Sequence, residues 1–467
     1  MAQIPFPRSS LPGQQAGESN GRLLNCFTEM DAEQPTWRPV QGLVEFANTM
    51  KVTPRGMVVK ENLLYTAQDG FGLTVTANGV VTLLSGALSG ANPVTWAQNN
   101  KSPTPDLICN TENGSFIVTS STITSFLDPD LPQPNSITQL DGYFLWTIGD
   151  GRIFASELNS TAVNALSFTT AQANPDGLLR GTVHGQQFFA WGQSSIQVYQ
   201  DVGTTPFPLS PVTIIPVGLI EQWAIAGYEP GWGGPQIFVA SDGTVRKLNG
   251  YTPEVVSTKD VERAIHDVSN KALLRASVYV EVGHPIWSLS SPTWTWEYNN
   301  STGYWHERAS SNMTRWRAEQ SALFFNNWII GDTTSGKLFR IDEAVFTEDG
   351  NAIAMTLESG PVKNFPARIQ VASAFFDWTT GTAPLVGSDD AVNPSVSISW
   401  SHDGGASYSG ALLRRSLGTQ GQVSKQIRVN RLGLSTQHGM RFRLVTTSPI
   451  YRTFRGGSVN AASRGPA

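Results

Sequence analysis

The chain has 467 residues, 40% of them hydrophobic, only 15% charged, with 14 Trp and a formal net charge of −5. That length exceeds one ordinary core and predicts two or three domains, while the low charge predicts a surface of neutral polar side chains or one covered by partners. Two cysteines, Cys26 and Cys109, exclude a disulfide framework and a cysteine metal site, and no apolar run reaches the ~20 residues of a membrane-spanning helix.

Residues 1–21 are rich in Pro, Gly, Ser and Gln and predict an extended arm with no apolar leader segment. The chain is therefore expected to fold in a cytoplasm. Strands are predicted over Arg22–Met30 (RLLNCFTEM) and Leu43–Met50, and residues 1–55 together read as an N-terminal arm and strands joining a platform.

From Gly56 to about residue 345 one unit recurs: a β-rich run, a turn, another β-rich run. Asp69-Gly70, Asn78-Gly79, Asn113-Gly114, Asp141-Gly142, Asp150-Gly151, Asp242-Gly243 and Asn249-Gly250 punctuate it. These dipeptides tolerate the positive φ of tight hairpins, so each predicts a strand reversal. Seven units, near 56–88, 104–132, 135–166, 178–209, 220–256, 273–309 and 316–341, predict a β-propeller of six or seven blades. One helix interrupts them in STKDVERAIHDVSNKALL, where Ser257 or Thr258 can cap and Val261, Ile265 and Val268 share a face.

Residues 346–467 change texture. Longer β-rich runs at Ala352–Leu357, Arg368–Trp378, Ser395–Trp400, Lys425–Val429 and Met440–Thr446 predict a β-sandwich platform, with Gly456–Ala467 as a flexible tail. The fold class is thus all-β: a propeller with an additional sandwich-like platform formed by the chain ends. Alternation puts Met440, Phe442 and Leu444 on the core face and Arg441 and Arg443 on the other. Residues 404–467 hold ten Lys and Arg and no acid, leaving 22 basic against 37 acidic residues in 1–403, a net of −15. Arg414, Arg415, Lys425, Arg428, Arg431, Arg441, Arg443 and Arg452 are therefore candidates for a subunit or adaptor interface, with nucleic-acid phosphate as the competing partner.

Catalytic signatures are missing. There is no P-loop, dinucleotide fingerprint, nucleophile elbow or zinc-protease motif, and the six histidines lack metal-ligand spacing. No catalytic residue, metal or cofactor is expected. Asp128-Pro129-Asp130 and Asp389-Asp390 read as solvated turn acids rather than a glycosidase pair. Ser401, Asp403, Gly405, Ser407 and Tyr408 resemble the Asp-box turn of sialidase propellers, a folding device, here in one copy beyond the propeller. Trp294, Trp296, Tyr304 and Trp305 can stack on sugars, which keeps a glycan-binding or sialidase-like propeller as the alternative function, although their spacing suits blade core better. A cytoplasmic propeller scaffold is a third possibility.

The order of segments resembles the tail-hub, or tail-nozzle, proteins of short-tailed bacteriophages (podophages), also called packaged-DNA stabilisation proteins. RLLNCFTEM, NPDGLLRG (Asn174–Gly181) followed by FFAWGQSSIQVYQ (Phe188–Gln200), STKDVERAI (Ser257–Ile265), TWEYNNSTGYWHER (Thr295–Arg308), WIIGDTTSGKLFRID (Trp328–Asp342), SISWSHDGGASYS (Ser397–Ser409) and FRLVTTSPI (Phe442–Ile450) succeed one another as in that family. Loops around 218–234 and 379–393 are less similar. The resemblance implies a non-enzymatic virion tail protein. It would form a homo-hexamer below the portal adaptor ring, extend the DNA channel, retain packaged DNA and conduct it during ejection without reading its sequence. Tail fibres or tailspikes and a distal plug or needle protein are implied as further partners.

Overall fold

The computed structural model of the protein describes residues 1–15, 17–31, 34–171, 177–410 and 413–466. Asn174, Pro175 and Asp176 of the NPDGLLRG segment lie outside them.

Seven four-stranded antiparallel units span residues 54–83, 95–125, 134–170, 178–215, 225–255, 275–307 and 318–342, the last completed by Gly42–Asn48, and the final two continue into larger sheets. They are blades 1 to 7. The seven Asp-Gly and Asn-Gly dipeptides each join consecutive strands of one blade; Asp141 and Gly142 sit at φ 48° and 93°, both left-handed as a two-residue reversal requires. The first strand of each blade is innermost. Ala318–Phe324 of blade 7 lies against Pro54–Lys60 of blade 1, which closes the circle.

Blades bury both faces, so their strands carry continuous apolar runs instead of strict alternation. Tyr143–Ile148 (YFLWTI) and Gln187–Gly192 (QFFAWG) are examples, five of six residues buried in each. Separate apolar clusters fill the gaps between neighbouring blades: Ile108 with Trp146 between blades 2 and 3, Trp191 with Phe238 between 4 and 5, Leu64 with Ile329 between 1 and 7. Helix α1 (Lys259–Asp267) is capped by Thr258 and buries Val261 and Ile265 on the core of blades 5 to 7.

The strand expected near Leu43–Met50 joins the propeller rather than the platform. Gly42–Asn48 runs antiparallel to Lys337–Asp342 as the outermost strand of blade 7. This latches the circle with a strand that precedes blade 1 in sequence. Gly42 permits the entry: a Cβ there would stand 2.4 Å from the carbonyl oxygen of Thr347.

The remaining strands form a sandwich. One sheet has the order Cys26–Asp31, Gln34–Pro39, Phe454–Pro466, Ala367–Trp378, Ile427–Leu434, with Ala2–Gln3 paired to Phe454–Pro466. The other is Arg22–Leu24, Met355–Glu358, Arg441–Thr446, Ser395–Ser401, Leu413–Ser416. Trp37, Phe376, Trp378, Phe442 and Phe454 pack between them. Asn25, at φ 56°, splits RLLNCFTEM into two strands and sends them to opposite sheets. Its amide holds the corner, donating to Ala309 O (2.9 Å) and Ala354 O (3.1 Å). Arg22–Leu24 also runs parallel to Tyr304–Glu307, the outer strand of blade 6. Platform and propeller thereby share one nine-stranded sheet.

The segment expected to trail as a flexible tail does not. Phe454–Pro466 pairs along nearly the whole of Ala367–Trp378 and carries Phe454 and Val459 into the core.

Candidate interaction surfaces

The eight basic candidates divide by burial. Arg452 is fully buried and donates to the carbonyls of Ser448, Ile450 and Ile353, the last at 3.0 Å. Burial lowers its pKa to about 10, with no carboxylate beside it. Arg441 is 2% exposed and donates to Ser19 O. The N-terminal arm covers the sheet face on which alternation places Arg441, opposite Met440, Phe442 and Leu444. Arg443 is half-buried; its Nε donates to Glu358 Oε1 at 2.7 Å and its guanidinium stacks 3.9 Å over Tyr408. Arg441 and Arg452 are thus internal ties and leave the interface set, and Arg443 is held within the chain.

The other five converge. Leu413–Ser416 is the edge strand of one sandwich sheet and Ile427–Leu434 the edge strand of the other. Arg415 Nε donates to Arg428 O at 3.0 Å, which brings the two edges together. Arg414, Arg428 and Arg431 are exposed there, with Lys425 just before the second strand. Among the described residues, the one acid within 4 Å of these side chains is Asp390, 3.8 Å from Arg414 and itself half-exposed. An exposed edge offers unpaired backbone groups, and charge on it blocks indiscriminate strand addition while leaving it open to an acidic partner.

The Asp-box-like turn follows Ser395–Ser401. Asp403 accepts from Ser401 Oγ (2.6 Å), Ser407 N (2.9 Å) and Ser407 Oγ (2.5 Å), while Gly405 at φ 103° donates to Ser401 Oγ at 2.7 Å. Burial works to raise the Asp403 pKa, but these bonds outweigh it and hold the carboxyl well below its usual range.

A second cluster was not singled out from the sequence. Arg308, fully buried, faces Glu281 (3.4 Å), Glu297 (3.7 Å) and Glu348 (3.8 Å), and donates to Gln41 O at 2.9 Å. Its plane lies 3.9 Å over Trp316. His306 Nε2 meets Glu297 at 2.9 Å, and Tyr279 donates to Glu297 at 2.8 Å. Burial raises Glu281 and Glu348 above the ordinary carboxylate range; at Glu297 burial is overcome by Arg308 and His306, and its pKa falls. The cluster joins blade 6, the start of blade 7 and the latch strand. Its sequence signal was present: Glu297 sits between Trp296 and Tyr298, and His306 and Arg308 follow Trp305, charges set inside runs that otherwise read as core.

The innermost strands enclose a central cavity of about 310 Å³. Arg180 lines it, donating to Tyr228 Oη (2.5 Å) and Gln222 O (3.2 Å) and stacking on Trp223. Asp128 caps Val163 N, and Asp389 and Asp390 open a four-residue helix, so neither acidic pair faces a cleft partner. Trp296 and Trp305 are buried in blade 6, and Trp294 and Tyr304 are half-buried. Among the described residues no three His, Cys, Asp or Glu side chains gather as metal ligands, and no helix is long and apolar enough to cross a membrane.

The WD40 β-propeller domain of Doa1 matches with 12% identity and a TM-score of 0.40, over 64% of this chain and 96% of that one. The computationally designed Ika8 protein matches with 10% identity and a TM-score of 0.40, over 73% and 98%. No curated protein sequence matches. The family model described as the bacteriophage P22 Gp10 β-propeller, Phage_stabilise, matches residues 23–346. That span contains all seven blades and the strand Gly42–Asn48 that completes the last, and the chain belongs to this family of bacteriophage structural proteins.

Proposed function

We propose that the protein is a tail hub or nozzle of a short-tailed phage virion. Copies associate as a ring, a homo-hexamer in the family pattern, below a portal adaptor. The ring extends the conduit through which double-stranded DNA is retained and then ejected. The observation that carries this reading is the seam of Arg414, Arg415, Lys425, Arg428 and Arg431 along the two sandwich edges, in a chain whose first 403 residues are strongly acidic. Such polarity lets the basic edge of one copy meet acidic surface on the next or on an adaptor, over a permanent interface above about 2,000 Å². An acidic remainder also suits a conduit wall that must not hold DNA phosphates. Reaction chemistry plays no part in this account.

Arg414→Glu/Arg428→Glu/Arg431→Glu tests it. The three side chains are exposed, so circular dichroism and the melting temperature should stay at the wild-type level. Native mass spectrometry should show the ring reduced to monomers, and phage carrying the variant should lose packaged DNA. A variant that still forms rings and fills particles would remove the seam from assembly.

A further inference from the structure

A groove of about 540 Å³ opens between blades 4 and 5. Three segments meet there: the hairpin at 184–187, the hairpin at 249–252 and the loop at 227–236. Its floor is apolar, made by Phe189 (4% exposed), Trp232 (8%) and Leu248 (6%). Its walls are amide and aromatic. Gln187 and the Tyr251 hydroxyl are hydrogen-bonded across the blade gap at 2.8 Å, and Tyr251 is 43% exposed. Gln236 is 1% exposed; its Oε1 accepts from Thr182 at 3.2 Å, and its Nε2 is buried with no partner. No described residue lining the groove is an Asp, Glu, Lys or Arg. Burial lowers the pKa of His184, which favours a neutral ring.

These features select a ligand class. A pocket of this size with an apolar floor and a few fixed polar groups suits one small organic molecule. The uncharged walls give an ionic ligand no counter-charge. A purely apolar ligand would leave the amides without exchange for their lost water, and an unmade buried hydrogen bond costs about 1–3 kcal/mol. A ring with an apolar C–H face and a rim of hydroxyls satisfies both surfaces, stacking on the aromatic wall while its oxygens meet Gln187, the Tyr251 hydroxyl and His184. We propose that the groove between blades 4 and 5 is a binding site for a neutral saccharide. The aromatics Trp294, Trp296, Tyr304 and Trp305 take no part, since they belong to blade 6. The site is independent of ring assembly.

The test is titration calorimetry of the full chain against neutral mono- and disaccharides (glucose, galactose, N-acetylglucosamine, maltose, lactose), with sialic acid and glucuronate as charged comparators. Two variants address the site. Tyr251→Ala removes the exposed stacking wall. Gly233→Phe places a ring at the groove, and a Cβ at Gly233 meets nothing within 4 Å. At least one neutral sugar should bind, and both variants should weaken it by about tenfold or more, ~1.4 kcal/mol. Melting temperatures check that both variants are folded. Binding by no neutral sugar, by the acidic sugars alone, or with unchanged affinity in the folded Gly233→Phe variant would overturn the assignment.

Discussion

Replacing Arg308 with Met removes the only cation that faces Glu281, Glu297 and Glu348 together among the described residues. It also takes a donor from Gln41 O. Removing one partner of a buried ion pair costs about 3–5 kcal/mol, because a charge is left without compensation. Unfolding entropy is about 2.1 cal/mol/K per residue, so a cooperative unit of all 467 residues converts that loss to ~3–5 °C of melting temperature, and a smaller unit to more. The sign with pH follows from the carboxylates. Glu281 and Glu348 already titrate above the ordinary value of 4.5 because burial disfavours their charged form. The folded state then binds more protons than the unfolded one just above that value, and stability falls as pH rises through the window. Without Arg308 all three glutamates should shift further up, Glu297 included. The penalty should therefore be large at pH 8 and shrink toward pH 5, where the glutamates take up protons. Scanning calorimetry at both pH values measures it, and Glu281→Gln in the Arg308→Met background should recover part of the loss at pH 8. A penalty that is equal or larger at pH 5, or below ~1 °C at pH 8, would refute the claim that the cluster clamps blade 6 to the latch.

Asn25→Ala should cost about 2–4 kcal/mol, from the lost bonds to Ala309 and Ala354 plus strain at φ 56°; Asn25→Gly should recover only the strain, and urea midpoints compare the two. Asp403 has a depressed pKa, so the stability it lends the 401–408 turn is present above its ordinary value of 3.8 and is lost as pH falls further. Asp403→Asn should remove that acid dependence, and limited proteolysis within the turn at pH 7 and pH 3 reads it. Deleting residues 456–467 should abolish soluble expression or leave a dye-binding, loosened sandwich, because the removed strand lies between Gln34–Pro39 and Ala367–Trp378. A shortened protein with the wild-type melting temperature would contradict that placement.

The propeller was legible because its turns are local. Asp-Gly and Asn-Gly mark seven reversals within a few residues of the strands they join. Other turns of the same kind carry no such mark: Val282-Gly283 in blade 6 and Phe325-Asn326 in blade 7 also sit at positive φ. A β-branched or aromatic residue there is costly, and only the packing of both flanking strands enforces it. The latch was illegible for the opposite reason. Gly42–Asn48 pairs with residues nearly 300 positions downstream, and the apolar pattern of a strand does not name its partner. The same limit hid the role of Phe454–Pro466, whose Gly, Ser, Asn and Ala content reads as a tail until the sheet that encloses it is known.

The arginines show where alternation stops being informative. Period-two spacing places Arg441 and Arg443 on the face opposite Phe442 and Leu444, and there they are. Whether that face meets water depends on a third element. The arm that reaches Ser19 covers Arg441, and Glu358 holds Arg443, so two outward residues become internal ties. Arg428 obeys the same spacing on Ile427–Leu434, Arg431 follows an irregularity in the register at φ 60°, and both stay exposed because no third element covers them. A segment with ten basic residues and no acids therefore contains two populations. One donates to backbone carbonyls and pairs with acids within the same molecule. The other is left at the rim, where Asp390 beside Arg414 is the one ion-pair partner among the described residues and another molecule or solvent must answer the remaining charge. The proposed assembly role rests on that second population alone, which is why reversing Arg441 or Arg452 would report on folding and reversing Arg414, Arg428 and Arg431 would test the proposed ring.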